Sequence, residues 1–236
     1  MKPKMILFDL DGTLLPMDQD VFVKTYFGAI AKKLAPHGYE PQKLVQSIWV
    51  GTKAMIKNDG SKNNEQAFWD TFAGIYGEQV RDEIVYFDEF YEQNFDGVQV
   101  SCGFNAEAAK TVRQLKEAGY RLALATNPIF PSIATEKRMC WAGLDQLDFE
   151  LYTTYENSRY CKPNLKYYED ILTALDVKAE ECLMVGNDVG EDMIAENLGM
   201  KVFLLTDCLI NRENKDISAY PHGSFAELLA FVDTLS

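Results

Sequence analysis

From about Val98 onward the chain alternates short apolar runs with stretches of helical periodicity, and this alternation restricts the fold more than any other feature. Tyr120–Ala125 (YRLALA), Phe149–Thr153, Glu181–Val185 and Lys201–Leu205 read as strands. Around them, Asn105–Ala118, Pro131–Ala142, Leu165–Leu175, Glu191–Leu198 and Phe225–Leu235 read as helices, with Asn105 as an N-cap and Gly119 and Gly199 as stops. Met5–Phe8 is a further buried strand, ended by Asp9. Strands alternating with helices predict a parallel sheet with helices on both faces.

Between Asp18 and about Phe95 the texture is different. Apolar residues recur there at helical spacing: Val21, Tyr26, Ile30 and Leu34; Leu44, Ile48 and Met55; Phe68, Phe72 and Ile75; Val80, Ile84, Phe87, Tyr91 and Phe95. Pro36–Gly38, Asp59–Gly60 and Gly77 mark the breaks. The pattern predicts roughly four helices, placed after the first strand as an inserted domain. The expected division is an α/β core over 1–16 and 97–236, with an all-helical insertion over 17–96.

The 23 Lys and Arg residues face 36 Asp and Glu, a net charge of −13. A field of that sign repels phosphate backbones, so no nucleic-acid partner is expected. An anionic small substrate would need local positive charge, and a metal ion is the obvious source. The five cysteines are odd in number and none has CxxC spacing, which argues against a disulfide framework and suits a reducing cytosol. Met5–Phe8 is too short for a signal-peptide core, and no run approaches the ~20 apolar residues of a membrane span. A cytoplasmic protein without a membrane partner is therefore expected.

In open parallel sheets ligands sit at the carboxyl ends of the strands. Asp9 and Asp11 follow the first strand two residues apart, so both carboxyls can reach one site, and Gly12 lets the backbone turn. Such a pair can hold a hard cation, or divide labour as nucleophile and acid. Thr126 and Asn127 follow the second strand and offer a hydroxyl and an N–H to phosphate oxygens. Lys162, before Pro163, could neutralise a carboxylate and a phosphoryl group. Asn187, Asp188, Glu191 and Asp192 crowd the end of the strand at Val185, and a helix starting near Asp188 would put Asp188 and Asp192 on one face. Each group has a bland alternative: an Asp-Gly turn, an Asn-Pro turn, a solvated lysine, an acid-rich first helical turn. Together, at four separate strand ends, they describe one machine.

The set Phe8-Asp9-Leu10-Asp11-Gly12-Thr13-Leu14, Ala125-Thr126-Asn127, Lys162-Pro163 and Val185-Gly186-Asn187-Asp188 with Asp192 resembles the haloacid dehalogenase superfamily. The resemblance implies a Rossmann-like core whose first strand is central, between the second and fourth. It implies that Asp9 is a nucleophile forming an aspartyl-phosphate and that Asp11 is the acid and then the base. Thr126, Asn127 and Lys162 would bind the phosphoryl group, and Mg²⁺ would be held by Asp9, the Asp11 carbonyl and Asp188. One departure is Gly-Asn-Asp where the family often has Gly-Asp. Either Asp188 or Asn187 could take the ligand position. Asp188 is preferred because a carboxylate binds Mg²⁺ more strongly than an amide, with Asp192 behind it.

By the same resemblance the helical insertion is a cap that closes over the site. Its lysines Lys53, Lys57 and Lys62 read as a solvated face. The expected activity is hydrolysis of a small-molecule phosphate monoester, by a monomer or homodimer. A phosphomutase uses the same acids and stays open as an alternative. A dehalogenase is disfavoured by Asp11, and a non-catalytic phosphate-binding module by the complete set of acids. Serine-hydrolase and nucleotide-loop motifs are absent, and His37 and His222 read as loop residues.

Overall fold

The computed structural model describes residues 2–235. Its centre is a six-stranded parallel sheet of β1 (Met5–Phe8), β2 (Arg121–Leu124), β3 (Leu151–Tyr152), β4 (Cys182–Gly186), β5 (Lys201–Leu205) and β6 (His222–Gly223). The order is β3-β2-β1-β4-β5-β6, so β1 lies between β2 and β4 as expected. Phe8 is level with Leu124 on one side and Val185 on the other. The residues that follow these strands, Asp9, Ala125 to Asn127, and Gly186 to Asp188, therefore emerge at one edge of the sheet.

Sequence explains why β1 sits at the centre. Every residue of its run MILF is fully buried, as a strand covered on both faces requires. Ile6 and Phe8 pack into one core with α5 (Ala106–Glu117), α6 (Ser132–Trp141) and α8 (Phe225–Thr234). Met5 and Leu7 pack into the other, with α7 (Leu165–Leu175) and a 3-10 segment, Met193–Leu198. Helices thus cover both faces. The cap read from sequence is present, the Asn105 side chain accepting from the Glu107 amide, and Asn164, which the sequence reading did not single out, does the same for Lys166 at the start of α7.

Three elements differ from expectation. The third strand shrinks to two residues. The segment Glu191–Leu198 is not an α-helix; turns run through Asp192 and a 3-10 helix covers Met193–Leu198. The Asp188 carboxylate caps the Gly190 and Glu191 amides as a helix N-cap does, and the Asp192 N–H returns to the Asp188 carbonyl, but the chain then continues as a 3-10 helix. His222 lies on the short edge strand β6, not in a loop, and His37 ends a 3-10 turn where its ring stacks on Tyr86. Neither ring borders the cavity described below.

Between β1 and β2 the chain forms α1 (Gln19–Leu34), α2 (Pro41–Ile56), α3 (Asn64–Tyr76) and α4 (Ile84–Gln93). Their interior is aromatic. Phe72, fully buried, stacks on Phe68 and Tyr76 and meets Trp69 and Phe87 edge-on. The start of α3 is tied to the α/β core by Asn64, whose side chain is buried and donates to the Pro128 carbonyl while its amide donates to Ser158. Asn63 and Glu65 add bonds to the carbonyls of Glu156 and Tyr155. Buried hydrogen bonds of this kind resist sliding, since each would leave an unpaired polar group if broken.

Phe72→Ala is expected to cost about 3–5 kcal/mol, the usual range for an aromatic cavity. Urea unfolding checks it; a loss below about 1 kcal/mol would mean that the bundle collapses around the gap.

Candidate active site

Asp9 follows β1, its backbone N–H donating to the Val185 carbonyl, so its position is fixed by the sheet itself. The residue is buried, 7% exposed. Oδ1 accepts from Lys162 Nζ at 2.9 Å, and Oδ2 accepts from Thr13 Oγ1 at 3.0 Å. Thr13 Oγ1 also lies 2.9 Å from Asn187 Oδ1, so its single proton is shared between Asp9 and Asn187. Gly12 makes this possible: it turns at φ 83°, and a Cβ there would overlap the Asn187 amide.

Lys162 is buried between two carboxylates. Besides Asp9 it donates to Asp192 Oδ1 at 2.6 Å. Burial opposes its charge, but Asp192 and Asp9 outweigh burial and hold its pKa well above the usual lysine value. It is therefore a permanent ammonium in the floor of the site. The second oxygen of Asp192 accepts from the Asp188 amide at 3.0 Å, so Asp192 links the lysine to the turn after β4.

The remaining predicted residues reach the same place by different routes. The Thr126 carbonyl accepts from Thr153 Oγ1 at 2.7 Å and the Tyr167 hydroxyl at 2.8 Å, which fixes the backbone at the end of β2. Asn127 Nδ2 donates to Glu191 at 3.0 Å, and its Oδ1 is buried without a partner. Asp188 Oδ1 is occupied by the Gly190 and Glu191 amides, and Oδ2 pairs with Arg212 Nη1 at 2.8 Å. Asn187 is committed elsewhere, with Nδ2 donating to the Cys208 carbonyl at 2.6 Å. Asp188 and Asp192 do not share a helical face, because the α-helix expected there is a turn.

Two arginines complete the site, and the sequence reading named neither. Arg138, fully buried on α6, donates through Nη1 to Asp11 Oδ2, with further bonds to the Ala134 carbonyl and Thr135. Its guanidinium lies over the Phe130 ring, 4.6 Å from the centroid. Arg212, in the loop after β5, joins Asp188 to Gln19 of α1. Burial raises the Asp11 pKa; Arg138 pulls it down and Asp9 adds to the rise. The other oxygen of Asp11 is buried without a hydrogen-bond partner.

Asp9, Asp11, Thr126, Asn127, Asn187, Asp188, Glu191, Asp192 and Arg212 all border one cavity of about 370 Å³, whose far wall is supplied by α1–α4. Its acid end is short of positive charge: five carboxyl groups, Asp9, Asp11, Asp188, Glu191 and Asp192, meet only Lys162, Arg138 and Arg212. Among the described residues no three His, Cys, Asp or Glu side chains form a ready metal cage. The donor chemistry that fits a hard cation is instead Asp9 and Asp188 with main-chain oxygen, leaving room for water, as Mg²⁺ requires. The unpartnered Asp11 oxygen and the carboxylate excess agree with a cation at this end.

Residues 3–197 match the family described as haloacid dehalogenase-like hydrolase. The chain is 24% identical over 214 residues to the pyrophosphatase PpaX of Bacillus mycoides (strain KBAB4), covering 90% of this chain and 87% of the relative. Its fold is similar to that of a predicted phosphoglycolate phosphatase from Haemophilus somnus 129PT, with TM-score 0.59 and 19% identity over 98% of both chains. It is similar also to the magnesium-bound HAD-hydrolase YfnB from Bacillus subtilis, with TM-score 0.56 and 15% identity over 99% of this chain and 100% of that one.

Lys162→Met would leave Asp9 and Asp192 buried side by side without their cation, at an expected cost of about 3–5 kcal/mol. Adding Asp192→Asn removes one of the stranded charges and should recover part of that loss. Urea unfolding of both variants decides it; a double variant no more stable than the single one would contradict the pairing.

Proposed function

This chain belongs to the haloacid dehalogenase-like hydrolase family, and on that premise we propose that it is a magnesium-dependent phosphatase acting on small phosphate monoesters through an aspartyl-phosphate. The observation that carries the reading is the Asp9 carboxylate, aligned by Lys162 and Thr13 where it borders a cavity, with Asp11 two residues further on. The names of the relatives, pyrophosphatase and phosphoglycolate phosphatase, support hydrolysis of a small phosphorylated molecule. At 24% and 19% identity they do not carry a particular substrate.

In the proposed reaction an Asp9 oxygen attacks phosphorus while the bond from phosphorus to the ester oxygen breaks. Protonated Asp11 gives its proton to that oxygen, and the alcohol leaves. Asp11, now a carboxylate, takes a proton from water as the water oxygen attacks phosphorus. The bond to Asp9 breaks, inorganic phosphate forms, and Asp9 is restored. Burial favours the protonated form of Asp11 that the first step needs. Arg138 positions that carboxyl through its bond to Oδ2.

Thr126 and Lys162 would bind the phosphoryl oxygens, and Asn127 would contribute its backbone N–H. Magnesium would be held by Asp9, the Asp11 carbonyl and Asp188, and when bound it supplies positive charge to the phosphoryl group. Asp188 is preferred to Asn187 because a carboxylate binds Mg²⁺ more strongly than an amide. Asp192 serves Lys162. We further propose that residues 17–96 act as a cap over a core of 1–16 and 97–236, since both parts line the cavity. A cytoplasmic enzyme fits the reading. No helix among the described residues is long and apolar enough to cross a membrane.

With p-nitrophenyl phosphate, Asp9→Asn should lose about 10³-fold or more of kcat. EDTA should abolish turnover and added Mg²⁺ restore it. Asp9→Asn within tenfold of wild type would remove Asp9 as nucleophile. Asp11→Asn separates the two half-reactions: nitrophenolate leaves without a proton, so rapid mixing should show one equivalent released per site and then a stall. Steady turnover by this variant would remove Asp11 as the base.

A further inference from the structure

The cavity beyond the acids has the wrong chemistry for a second anionic group. Its wall is built from rings, among them Phe22, Tyr26, Phe27, Trp49, Trp69 and Phe130. The polar atoms on these rings do not add charge. The hydroxyls of Tyr26 and Tyr91 hydrogen-bond each other at 2.8 Å, and burial raises the Tyr26 pKa to about 12, so both stay neutral.

Among the described residues no cation is available there. Lys162 is held by Asp9 and Asp192, and Arg138 by Asp11. Arg212, the one basic residue bordering the cavity among the described residues, stands at the acid end and is paired with Asp188. Lys53, Lys57 and Lys62 do not border it, and Lys62 is paired with Asp70. The charged residue that α4 contributes to the lining is an acid, Asp88, and it is exposed. A carboxylate or second phosphate placed among these rings would find only neutral donors, such as Thr52 and the unpartnered Trp69 Nε1–H, and would lose its hydration without gaining a countercharge. A cationic group would find no buried carboxylate among the rings either.

We propose that the substrate's alcohol part is uncharged and mainly apolar, either ring-bearing or a medium-length chain, and that the ring-lined cavity selects it by burial. This rests on the phosphatase reading above and deepens it. The volume, about 370 Å³, is that of a site for an organic molecule of moderate size. Discrimination against small anionic esters comes from the wall, and the phosphoryl end treats all esters alike.

The test uses wild-type full-length protein with Mg²⁺, reading phosphate release from n-butyl, n-hexyl and n-octyl phosphate, 2-naphthyl phosphate, 2-phosphoglycolate, inorganic pyrophosphate and phosphocholine. Asp9→Asn runs alongside as the blank. kcat/KM should climb about fourfold per added methylene until the cavity is full, as burial of ~0.8 kcal/mol each requires. 2-Naphthyl phosphate should exceed 2-phosphoglycolate by about 100-fold. A flat alkyl series, or phosphoglycolate or pyrophosphate as the best substrate, with turnover lost in Asp9→Asn, would overturn the inference and leave the phosphatase reading standing. Phosphocholine as the best substrate would overturn it in favour of a cationic leaving group. Turnover of none of them would overturn the phosphatase reading and this inference together.

Discussion

One buried ammonium organises the molecule's functional edge. Lys162 reaches between Asp9 at the end of β1 and Asp192 beyond β4, two acids that could not otherwise be buried so close together. The attraction has to exceed the desolvation of three charges, and it does so only because each has further partners. Thr13 donates to Asp9, and the Asp188 amide donates to Asp192. The central pairing of β1 with β4 and this ion cluster are therefore one construction. The sheet brings the strand ends together, and the lysine makes their charges compatible.

The same arrangement sets the character of the cavity. All the fixed positive charge is placed at one end and already engaged, so the site is polar at the strand ends and apolar a few side chains away. The helical insertion supplies the apolar part, and Asn64 fixes it to the core at Pro128, directly after Thr126 and Asn127. The loop that follows β2 therefore touches the proposed phosphoryl site on one side and the docking point of the helices on the other. Arg212 does the same at the opposite rim, holding Asp188 and Gln19 of α1 together.

Much of this was legible in the sequence, for reasons that can be named. Apolar periodicity is local, so Leu165–Leu175 and Lys201–Leu205 were read with the bounds they have. Strand order followed from a family resemblance carried by Asp9, Asp11, Thr126, Lys162 and Asp188, all of which border or underlie one cavity. The segment after Asp188 departs from the expected α-helix because a capping acid marks where a helical turn starts and not whether it runs on as α or 3-10. The bonds from Gly190 and Glu191 to the Asp188 carboxylate are those of an N-cap, and the departure lies in the 3-10 helix over Met193–Leu198 that follows.

Arg138 could not have been read at all, and the reason is instructive. It sits inside a helix whose neighbours, Glu136 and Lys137, are ordinary surface charges, and nothing in spacing distinguishes it from them. Its meaning comes from a partner 127 positions away, Asp11, which shares no local pattern with α6. A fully buried arginine is expensive unless paired, so burial itself is the signal, and burial is a property of the assembled fold. Here the pairing falls on the second acid of the strand-end motif. The carboxyl read from sequence as a proton carrier is thus held by a guanidinium that sequence gives no means to find. Its proton affinity is set by the balance between burial and Asp9 on one side and Arg138 on the other.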